Sequence, residues 1–461
     1  MVRGRTIPRA RTRACVLNLL WKVITTMNMD DLILVSVDDH ICEPPDMFDG
    51  HVPDRYREQA PRVIERDGVQ EWWYGDKRGR NIGTTAAAGK PREMINFMPH
   101  RFEEMRPGCY DVGERVRDMN AGGQLGGLNF PNFVGFSGQV LNEGPDRTVN
   151  EVMIKAYNDW HIDEWCAAAP GRFIPCAILP LFDIDLAVAE LRRAAAKGCH
   201  AVTFSENPAN LGRPSLHEDY WDPLFAAACD EETVLCLHVG SSSTVPPVTP
   251  GAPPSVGMTM APAQSIFSLV DLLWATFWDR FPTLKFSLTE GDIGWIPYFL
   301  QRADWVDQRH SGWTQTKFPE GTQPSDVFRD HILCCFIHDP VGLQLINQFN
   351  VDNVCWESDY PHSDSHWPLA PEHAWGLLDG LDASIIAKLT HENAMRHFHY
   401  DPFAYRAEET CTVRALRAES PDVDVVTRVG RPADDRDLEG YQRRSKYGRD
   451  AIEQRKKMAA T

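Results

Sequence analysis

Apolar residues along this chain come in short, β-branched runs that alternate with stretches of helical period. Eight of these runs predict buried strands, at residues 33–37, 125–130, 173–179, 200–204, 233–237, 284–288, 332–337 and 353–356. Apolar positions that recur every third or fourth residue predict helices between most of them, at residues 158–169, 220–230, 264–277, 294–306 and 383–397. This alternation predicts an α/β protein folded as a (β/α)8 TIM barrel. A doubly wound sheet is the alternative, but no G-x-G-x-x-G turn follows an early strand.

Two stretches interrupt the alternation. Residues 49–114 hold two strand-like patterns on either side of Asp67 and Gly68, which predict a hairpin inserted after strand 1. Residues 244–257 follow the fifth strand and are too rich in proline for the interior of a helix or strand. In a barrel both stretches lie on the loops that follow strands, where active sites are built.

The two ends of the chain differ in composition from the middle. Six basic residues and no acidic one precede Asp30, so we interpret residues 1–30 as a disordered basic arm or a mis-assigned start, with a targeting peptide as the alternative. The barrel is expected over residues 31–403. Residues 404–461 are interpreted as a charged C-terminal extension, either solvated or clasping another subunit. Deleting residues 1–28 is predicted to leave folding and metal content unchanged.

Composition and charge narrow the class of partner. The 461 residues are 43% hydrophobic and 24% charged, which is typical of a globular protein. A formal net charge of −18 disfavours nucleic acid and anionic membranes, and the longest apolar runs fall short of the roughly 18 residues of a membrane span. The 12 cysteines are scattered without a C-x-x-C motif, which favours free thiols in a reducing compartment. We therefore expect a cytoplasmic homo-oligomer that binds a small molecule.

Polar side chains recur at the ends of predicted strands. Asp38 and His40 follow the first strand, and side chains two residues apart in a strand point the same way. His238, Glu290 and Asp359 end the fifth, sixth and eighth strands. A single histidine at a strand end is more often satisfied by local hydrogen bonds. The recurrence at four strands favours a site of mixed nitrogen and oxygen ligands for a divalent metal ion.

Such an ion defines the chemistry to expect. It lowers the pKa of bound water to about 7, or it holds a substrate carboxylate. Asp359 or Glu290 is positioned to accept the proton of that water. His362 is a candidate proton donor, although a role in stabilising its loop is equally compatible with the sequence. The serines that follow His238 lack a G-x-S-x-G motif, which argues against a serine hydrolase.

Several longer motifs resemble a known family. They include VDDHICEPPDMF, LHVGSSS, TEGDIGWIPYFLQRAD, ESDYPHSDS and LTHENAMRHFHYDPF, spread over roughly residues 33–403. Together they resemble the amidohydrolase-related metal-dependent barrels, whose members include aminocarboxymuconate-semialdehyde decarboxylase and resorcylate-type decarboxylases. The resemblance implies metal-ligand positions for His40, His238 and Asp359, with Asp38 in place of the first member of a His-x-His or Glu-x-His pair.

The chain also departs from that family. Family decarboxylases usually have a histidine where this chain has Glu290. Binuclear members of the wider superfamily place a modified lysine at the end of strand four, where this chain has Ser205, Glu206 and Asn207. We therefore expect one divalent metal ion, Zn²⁺ or Mn²⁺, with Glu206 as a remote candidate for a bridging ligand.

Three functions remain open on the sequence. The favoured one is a metal-dependent carboxy-lyase, a nonoxidative decarboxylase that acts on a small carboxylated cyclic or unsaturated substrate. The alternative is a metal-dependent hydrolase that cleaves a C–N, C–O or C–C bond at the same site. A non-catalytic barrel that only binds a ligand is the third, and the intact set of predicted ligands argues against it.

Overall fold

Eight parallel strands surround the centre of the computed structural model, which describes residues 27–95 and 98–425. In chain order, all strands are β1 (Val35–Ile41), β2 (Arg62–Arg66), β3 (Val69–Tyr74), β4 (Lys77–Asn81), β5 (Gly126–Pro131), β6 (Phe173–Ile174), β7 (Ala201–Phe204), β8 (Val234–His238), β9 (Lys285–Thr289), β10 (Ile332–Phe336) and β11 (Val354–Trp356). Strands β1, β5 and β6 pair in parallel, and β7 to β11 pair in parallel in chain order. The predicted arm up to residue 26 and the end of the charged extension lie outside the described residues.

Backbone contacts join these two parallel sheets into a ring. On one side Ala177, just past β6, pairs with Val202 in β7 as a parallel bridge. On the other side the segment after β11 bonds to β1, where the Asp359 N–H donates to the Asp38 carbonyl at 2.7 Å. All eight predicted barrel strands correspond to observed ones. The predicted (β/α)8 barrel is confirmed.

The outer layer consists of helices, as the alternation predicts. The α-helices are α1 (Val112–Ala121), α2 (Gln139–Asn142), α3 (Arg147–Trp160), α4 (Ile184–Ala195), α5 (Asp222–Asp230), α6 (Pro254–Met260), α7 (Ala263–Leu273), α8 (Ile296–Thr314), α9 (Pro324–His331), α10 (Pro340–Gln344), α11 (Ala370–Leu378), α12 (Ala383–Ala387), α13 (Asn393–His397) and α14 (Val413–Glu419). The helix predicted at 158–169 begins earlier, because Asp146 caps α3 by accepting from two backbone N–H groups. It continues past α3 as the π-helical turn His161–Cys166.

Strand β8 shows which of its side chains face the interior of the barrel. Leu235 and Leu237 belong to the cluster between strands and helices, whereas Val234 and Cys236 belong to the cluster inside the ring. Both faces of the strand are therefore buried, and alternate residues face inward. His238 continues the inward series at the C-terminal end of the strand. The alternation of β8 is what places this imidazole over the barrel interior.

The insertion after β1 differs from the predicted hairpin. It is a three-stranded antiparallel sheet of order β2-β3-β4, hereafter the inserted sheet. The predicted turn at Asp67 and Gly68 is present between β2 and β3. The third strand, β4, has the sequence KRGRN and lacks the apolar alternation by which strands are recognised. The hairpin prediction was therefore one strand short.

The proline-rich segment also contains more structure than its composition indicates. Helix α6 begins at Pro254, where a missing backbone N–H costs nothing because first-turn donors have no helical partner. Together α6 and α7 form a 20-residue apolar helical run, 254–273, with a mean hydropathy of 1.3, which is long and apolar enough to span a membrane by length and composition. Only the second half of this run, residues 264–273, falls within a predicted helix, because the prolines of residues 244–257 predict an irregular loop. In the structure, Leu269, Leu272 and Leu273 of α7 are buried in the core of the barrel.

The start of the C-terminal extension is part of the folded body. Helix α14 packs against α1, and its Val413 and Leu416 are fully buried. The Val413 N–H donates to the Leu32 carbonyl at 2.8 Å, so this segment touches the chain just before β1. Arg417 forms an ion pair with Glu372 at 2.7 Å. Residues 411–420 thus pack against the barrel, whereas residues 404–410 and 421–425 contain no buried residue.

Candidate metal centre

Six polar side chains converge at the C-terminal ends of the barrel strands. They are Asp38, His40, His238, Glu290, Asp359 and His362. The first three and Asp359 have no exposed side-chain surface, whereas Glu290 is 17% and His362 is 24% exposed. The four candidate ligands therefore lie at the bottom of the site, and the two candidate proton carriers lie nearer to solvent.

The four candidate ligands belong to two groups of neighbouring ligand atoms that share His40. Nε2 of His40 lies 3.7 Å from Oδ1 of Asp38 and 2.8 Å from Oδ1 of Asp359. Nε2 of His238 lies 3.4 Å from Oδ2 of Asp38. Ligand atoms of Asp38, His40 and His238 lie within 4.8 Å of one another, and the same holds for His40, Asp359 and His362. The structure thus brings together all the residues that the sequence predicts for the site.

Some of the buried ligand atoms lack hydrogen-bond partners. Both carboxylate oxygens of Asp38 and Nε2 of His238 are buried without one, whereas Asp359 contacts His40 at 2.8 Å and His362 at 3.0 Å. Burying unpaired carboxylates costs several kcal/mol each, as an order of magnitude, unless a cation or donor compensates them. A donor set of two carboxylates and two imidazoles fits a divalent metal ion. These residues therefore fit the metal that the sequence predicts.

One contact fixes the orientation of His238. Its Nδ1 lies 2.7 Å from the carbonyl oxygen of Val239, which can only accept a hydrogen bond. Nδ1 is therefore the protonated nitrogen, and Nε2 presents its lone pair to the centre of the site. The ring of Phe136 stacks on His238 with centroids 4.0 Å apart, which holds the imidazole plane in place. The sequence provides no signal for Phe136, since its loop lies far from His238 along the chain.

The backbone turns sharply where two strands reach the site. Asp359 has a φ of 55° and Glu290 has a φ of 62°, both in the left-handed region. This conformation is uncommon for residues other than glycine and clusters at functional sites. The peptide after Asp359 is held in place by Asp39, whose carboxylate accepts from the N–H of Tyr360 at 3.1 Å.

The charged groups of the site change one another's pKa values. Burial raises the pKa of Asp38 well above its usual value, and the nearby carboxylates of Asp359 and Glu290 raise it further. Burial also raises the pKa of Asp359, but His362 and His40 outweigh burial and hold it below its usual range. Burial lowers the pKa of His362, but Asp359 and Glu290 outweigh burial and raise it well above its usual value. These two carboxylates therefore favour the protonated form of His362.

Glu290 lies between two imidazoles near the mouth of the barrel. Its Oε1 lies 3.2 Å from Nδ1 of His362, and its Oε2 lies 3.7 Å from Nδ1 of His238. This carboxylate is close enough to exchange a proton with His362 directly. Glu206 has a different role, because its Oε1 accepts from the Gly240 N–H at 3.0 Å and from the Ser242 hydroxyl at 2.8 Å. It holds the loop after His238 and is not grouped with the ligand atoms among the described residues.

A cavity of about 670 Å³ lies near the site, although none of the six site side chains lines it. The inserted sheet and the loop after β8 form its walls, and Phe136 lines it while also contacting His238. Two arginines of β4 line the same cavity. Arg78 is exposed and paired with Glu71, whereas Arg80 is half-buried with its guanidinium 5.9 Å from the Phe136 ring. The cavity therefore offers an aromatic face and a cation near the candidate metal centre.

Comparison with known proteins agrees with this architecture. The chain belongs to the Amidohydrolase family, whose sequence profile matches residues 42–399. The profile begins just after His40, so the first pair of candidate ligands lies immediately before the matched range. The resemblance inferred from the motifs is thus confirmed, and the protein is an enzyme of this metal-dependent class. No curated protein sequence matches the chain.

The chain also resembles several solved structures. An amidohydrolase from Mycobacterium avium subsp. paratuberculosis is 18% identical with a TM-score of 0.61, covering 79% of this chain and 99% of its own. The 5-carboxyvanillate decarboxylase from Sphingomonas paucimobilis is 19% identical with a TM-score of 0.57, and the match covers 80% of this chain and 100% of that enzyme. The 5-carboxyvanillate decarboxylase from Novosphingobium aromaticivorans was solved in complex with manganese and 4-hydroxy-3-methoxy-5-nitrobenzoic acid. It is 16% identical with a TM-score of 0.57, and the match covers 81% of this chain and 100% of that enzyme. These likenesses establish the fold.

Proposed function

We propose that this protein is a metal-dependent carboxy-lyase that removes CO₂ from a small carboxylated cyclic or unsaturated substrate. The observation that supports this most is the buried ligand set, which lies near a cavity lined by both Phe136 and Arg80. An aromatic face suits a planar ring, and a half-buried guanidinium suits a carboxylate. The decarboxylase names of two structural relatives are consistent with this substrate class.

The metal is assigned to the four buried side chains. Asp38, His40, His238 and Asp359 would hold one divalent ion, Zn²⁺ or Mn²⁺, and the manganese in the Novosphingobium aromaticivorans relative supports a metal of this kind. When bound, such an ion draws electron density from a coordinated substrate oxygen. Val239 and Phe136 keep His238 oriented for this role, the first through a hydrogen bond and the second through ring stacking.

The remaining residues bind the substrate and supply the proton. Arg80 orients an anionic group of the substrate, and Phe136 packs against its ring. As the bond to the carboxylate breaks, its electron pair stays on the substrate carbon and CO₂ leaves. His362 then donates a proton to that carbon, and Glu290 returns a proton to His362 from solvent. Glu290 suits this relay because its carboxylate contacts His362 directly and is itself partly exposed to solvent.

Hydrolysis of a C–N, C–O or C–C bond is the second candidate function. It is favoured by one observation, the carboxylate of Glu290 beside the imidazoles of His238 and His362. A carboxylate in this position can act as a general base toward an attacking water. The same ligands and the same cavity serve either reaction. The fate of the substrate carboxylate distinguishes them.

A substrate panel tests the proposal. Metal-free protein is reconstituted with Zn²⁺ or with Mn²⁺ and is incubated with carboxylated aromatic acids, lactones and amides. We expect CO₂ to be released from an aromatic or unsaturated acid, to stop on chelation and to return when the metal is restored. Formation of a water-split product pair without CO₂ would favour the hydrolase. Binding of panel members with no turnover by the reconstituted protein would favour the non-catalytic barrel.

The cellular setting is a further part of the proposal. We expect a cytoplasmic homo-oligomer that acts on a small molecule and binds neither nucleic acid nor membrane. The 11 cysteines of the described residues are all free, and nearly all of them are buried. This is compatible with a reducing compartment.

A further inference from the structure

Three histidines meet outside the candidate metal centre, on the loops that follow the last two barrel strands. His338 follows β10, His366 lies in the loop after β11, and His373 lies in helix α11. One ring nitrogen from each lies within 4.8 Å of the other two. The proposed decarboxylation uses none of them.

The central member of this cluster has an unsatisfied polar atom. Nε2 of His366 is buried and has no hydrogen-bond partner. Its ring stacks on His373 with centroids 3.8 Å apart, and it meets the His338 ring edge-on at 5.8 Å. Buried polar atoms are rarely left without a partner in native proteins, so we expect Nε2 of His366 to bind a ligand.

The surroundings of His366 favour its neutral form. Burial, together with the neighbouring His373 and His338, lowers the pKa of His366 to about 4. Neutral imidazole is the form of histidine that binds a metal. His338 and His373 are exposed, so the cluster is open to a metal ion from solvent.

We propose that His338, His366 and His373 form a second metal site, which binds one Zn²⁺ ion through three imidazole nitrogens. Three nitrogen ligands with an open fourth position are a known arrangement for zinc, with water completing a tetrahedron. The absence of a carboxylate from this triad disfavours Mg²⁺, Ca²⁺ and Mn²⁺, which prefer oxygen ligands. The assignment is independent of the reaction at the first site.

A metal ion at this triad would cross-link three segments. It would connect the loop after β10, the loop after β11 and helix α11. The loop after β11 is also the segment that contains Asp359 and His362. The beginning of this loop thus forms part of the candidate metal centre, and zinc at the triad would stabilise its end.

Counting bound zinc tests the assignment on the full-length chain. Equilibrium dialysis against Zn²⁺ should give about two equivalents for the unmodified protein, and about one for His366→Ala and for His373→Ala. His217→Ala is the matched control, because His217 is exposed and pairs with Asp271 at 3.6 Å; it should keep both equivalents. Since His373 is exposed, its replacement leaves the core intact, and retention of the other equivalent reports a folded barrel.

The outcomes separate the two sites. His238→Ala should also retain about one equivalent, and the double variant with His373→Ala should retain almost none. Zinc bound at the triad should raise the melting temperature of the His238→Ala variant but not that of the double variant. A single equivalent in the unmodified protein that is lost with His238→Ala, or a second equivalent that survives both His366→Ala and His373→Ala, would overturn the assignment.

Discussion

At the scale of single residues, Glu290 provides the sharpest test of the chemistry. The variant Glu290→Gln keeps the shape of the side chain but removes the base that contacts His362 at 3.2 Å. We predict a loss of about 10²- to 10⁴-fold in kcat, the usual share of general acid–base catalysis, with metal content preserved. Kinetics and elemental analysis of the same preparation measure both quantities. The exposed Glu58 provides the control Glu58→Gln, which should leave both unchanged.

The same variant distinguishes a second role for Glu290. If this carboxylate is a fifth ligand, Glu290→Gln should weaken metal binding, and added metal should restore part of the activity. Full turnover together with full metal content would contradict both roles. Proton transfer would then belong to Asp359 or His362.

Loss of one imidazole from the ligand set should abolish metal binding at the first site. His238→Ala removes one of the nitrogens that face Asp38 and leaves an unpaired carboxylate in the core of the site. We expect this variant to lose the metal equivalent of the first site and all turnover, as measured by elemental analysis and by activity after reconstitution. Metal-indifferent activity of either His238→Ala or the chelated enzyme would contradict this ligand assignment.

The proposed function assigns Arg80 to an anionic group of the substrate. Loss of a charged hydrogen bond costs about 1.5–3 kcal/mol, so Arg80→Ala should lower kcat/KM for a carboxylated substrate by about 10- to 100-fold, chiefly through KM. Arg78→Ala is the matched control, because Arg78 lies on the same strand but is exposed and already paired with Glu71. Steady-state kinetics on the substrate found in the panel measure the difference. Equal effects of the two substitutions would show that Arg80 does not bind the substrate.

At the scale of elements, the inserted sheet depends on one aromatic contact. Trp72 of β3 is fully buried and stacks on Phe133 at 4.3 Å, next to the segment that follows β5. We predict that Trp72→Ala lowers the free energy of unfolding by about 3–5 kcal/mol, as measured by urea denaturation. Trp73→Ala should cost less, because Trp73 points to the other side of the strand and is only half-buried. Similar losses for both would contradict this packing.

Element type was predictable where a local pattern repeats, and not where contacts between distant segments decide it. All eight barrel strands have apolar runs that predict them, whereas β4 is polar and was missed. The predicted strand at 173–179 is continuous only at Phe173–Ile174, and Ala177 adds a single bridge to Val202. The next residue, Ile178, bonds instead to Asn158 of α3 through both its N–H and its carbonyl at 2.9 Å. Such a contact between distant segments has no signature in a local pattern.

The candidate ligands were predictable because strand ends are local features, and the barrel brings all of them to one face. Phe136 and Arg80 were not predictable, since each reaches the site from a loop or strand outside the regular alternation. The sequence could likewise not decide between a catalytic and a structural role for His362. Its contacts with Asp359 and Glu290 place it beside the candidate metal centre.

At the scale of the whole molecule, α14 attaches the C-terminal segment to the start of the barrel. Leu416 is fully buried in this contact, so Leu416→Ala should lower the free energy of unfolding by about 2–5 kcal/mol. Arg414→Ala is the control on the same helix, because Arg414 is exposed and pairs only with Asp30 and Asp31 at the surface. Denaturant unfolding compares the two. A negligible effect of Leu416→Ala would show that the segment contributes little to the fold.

The central claim is that the metal centre removes a carboxylate instead of adding water. It is tested most directly by mass spectrometry of the product that the metal-reconstituted enzyme forms in water labelled with both deuterium and oxygen-18. The account predicts a product that has lost CO₂ and gained one deuterium at the former carboxyl carbon, with no oxygen-18 in it, because His362 delivers a solvent proton to that carbon. A product that retains its carboxylate and contains oxygen-18 would contradict the account and identify the enzyme as a hydrolase.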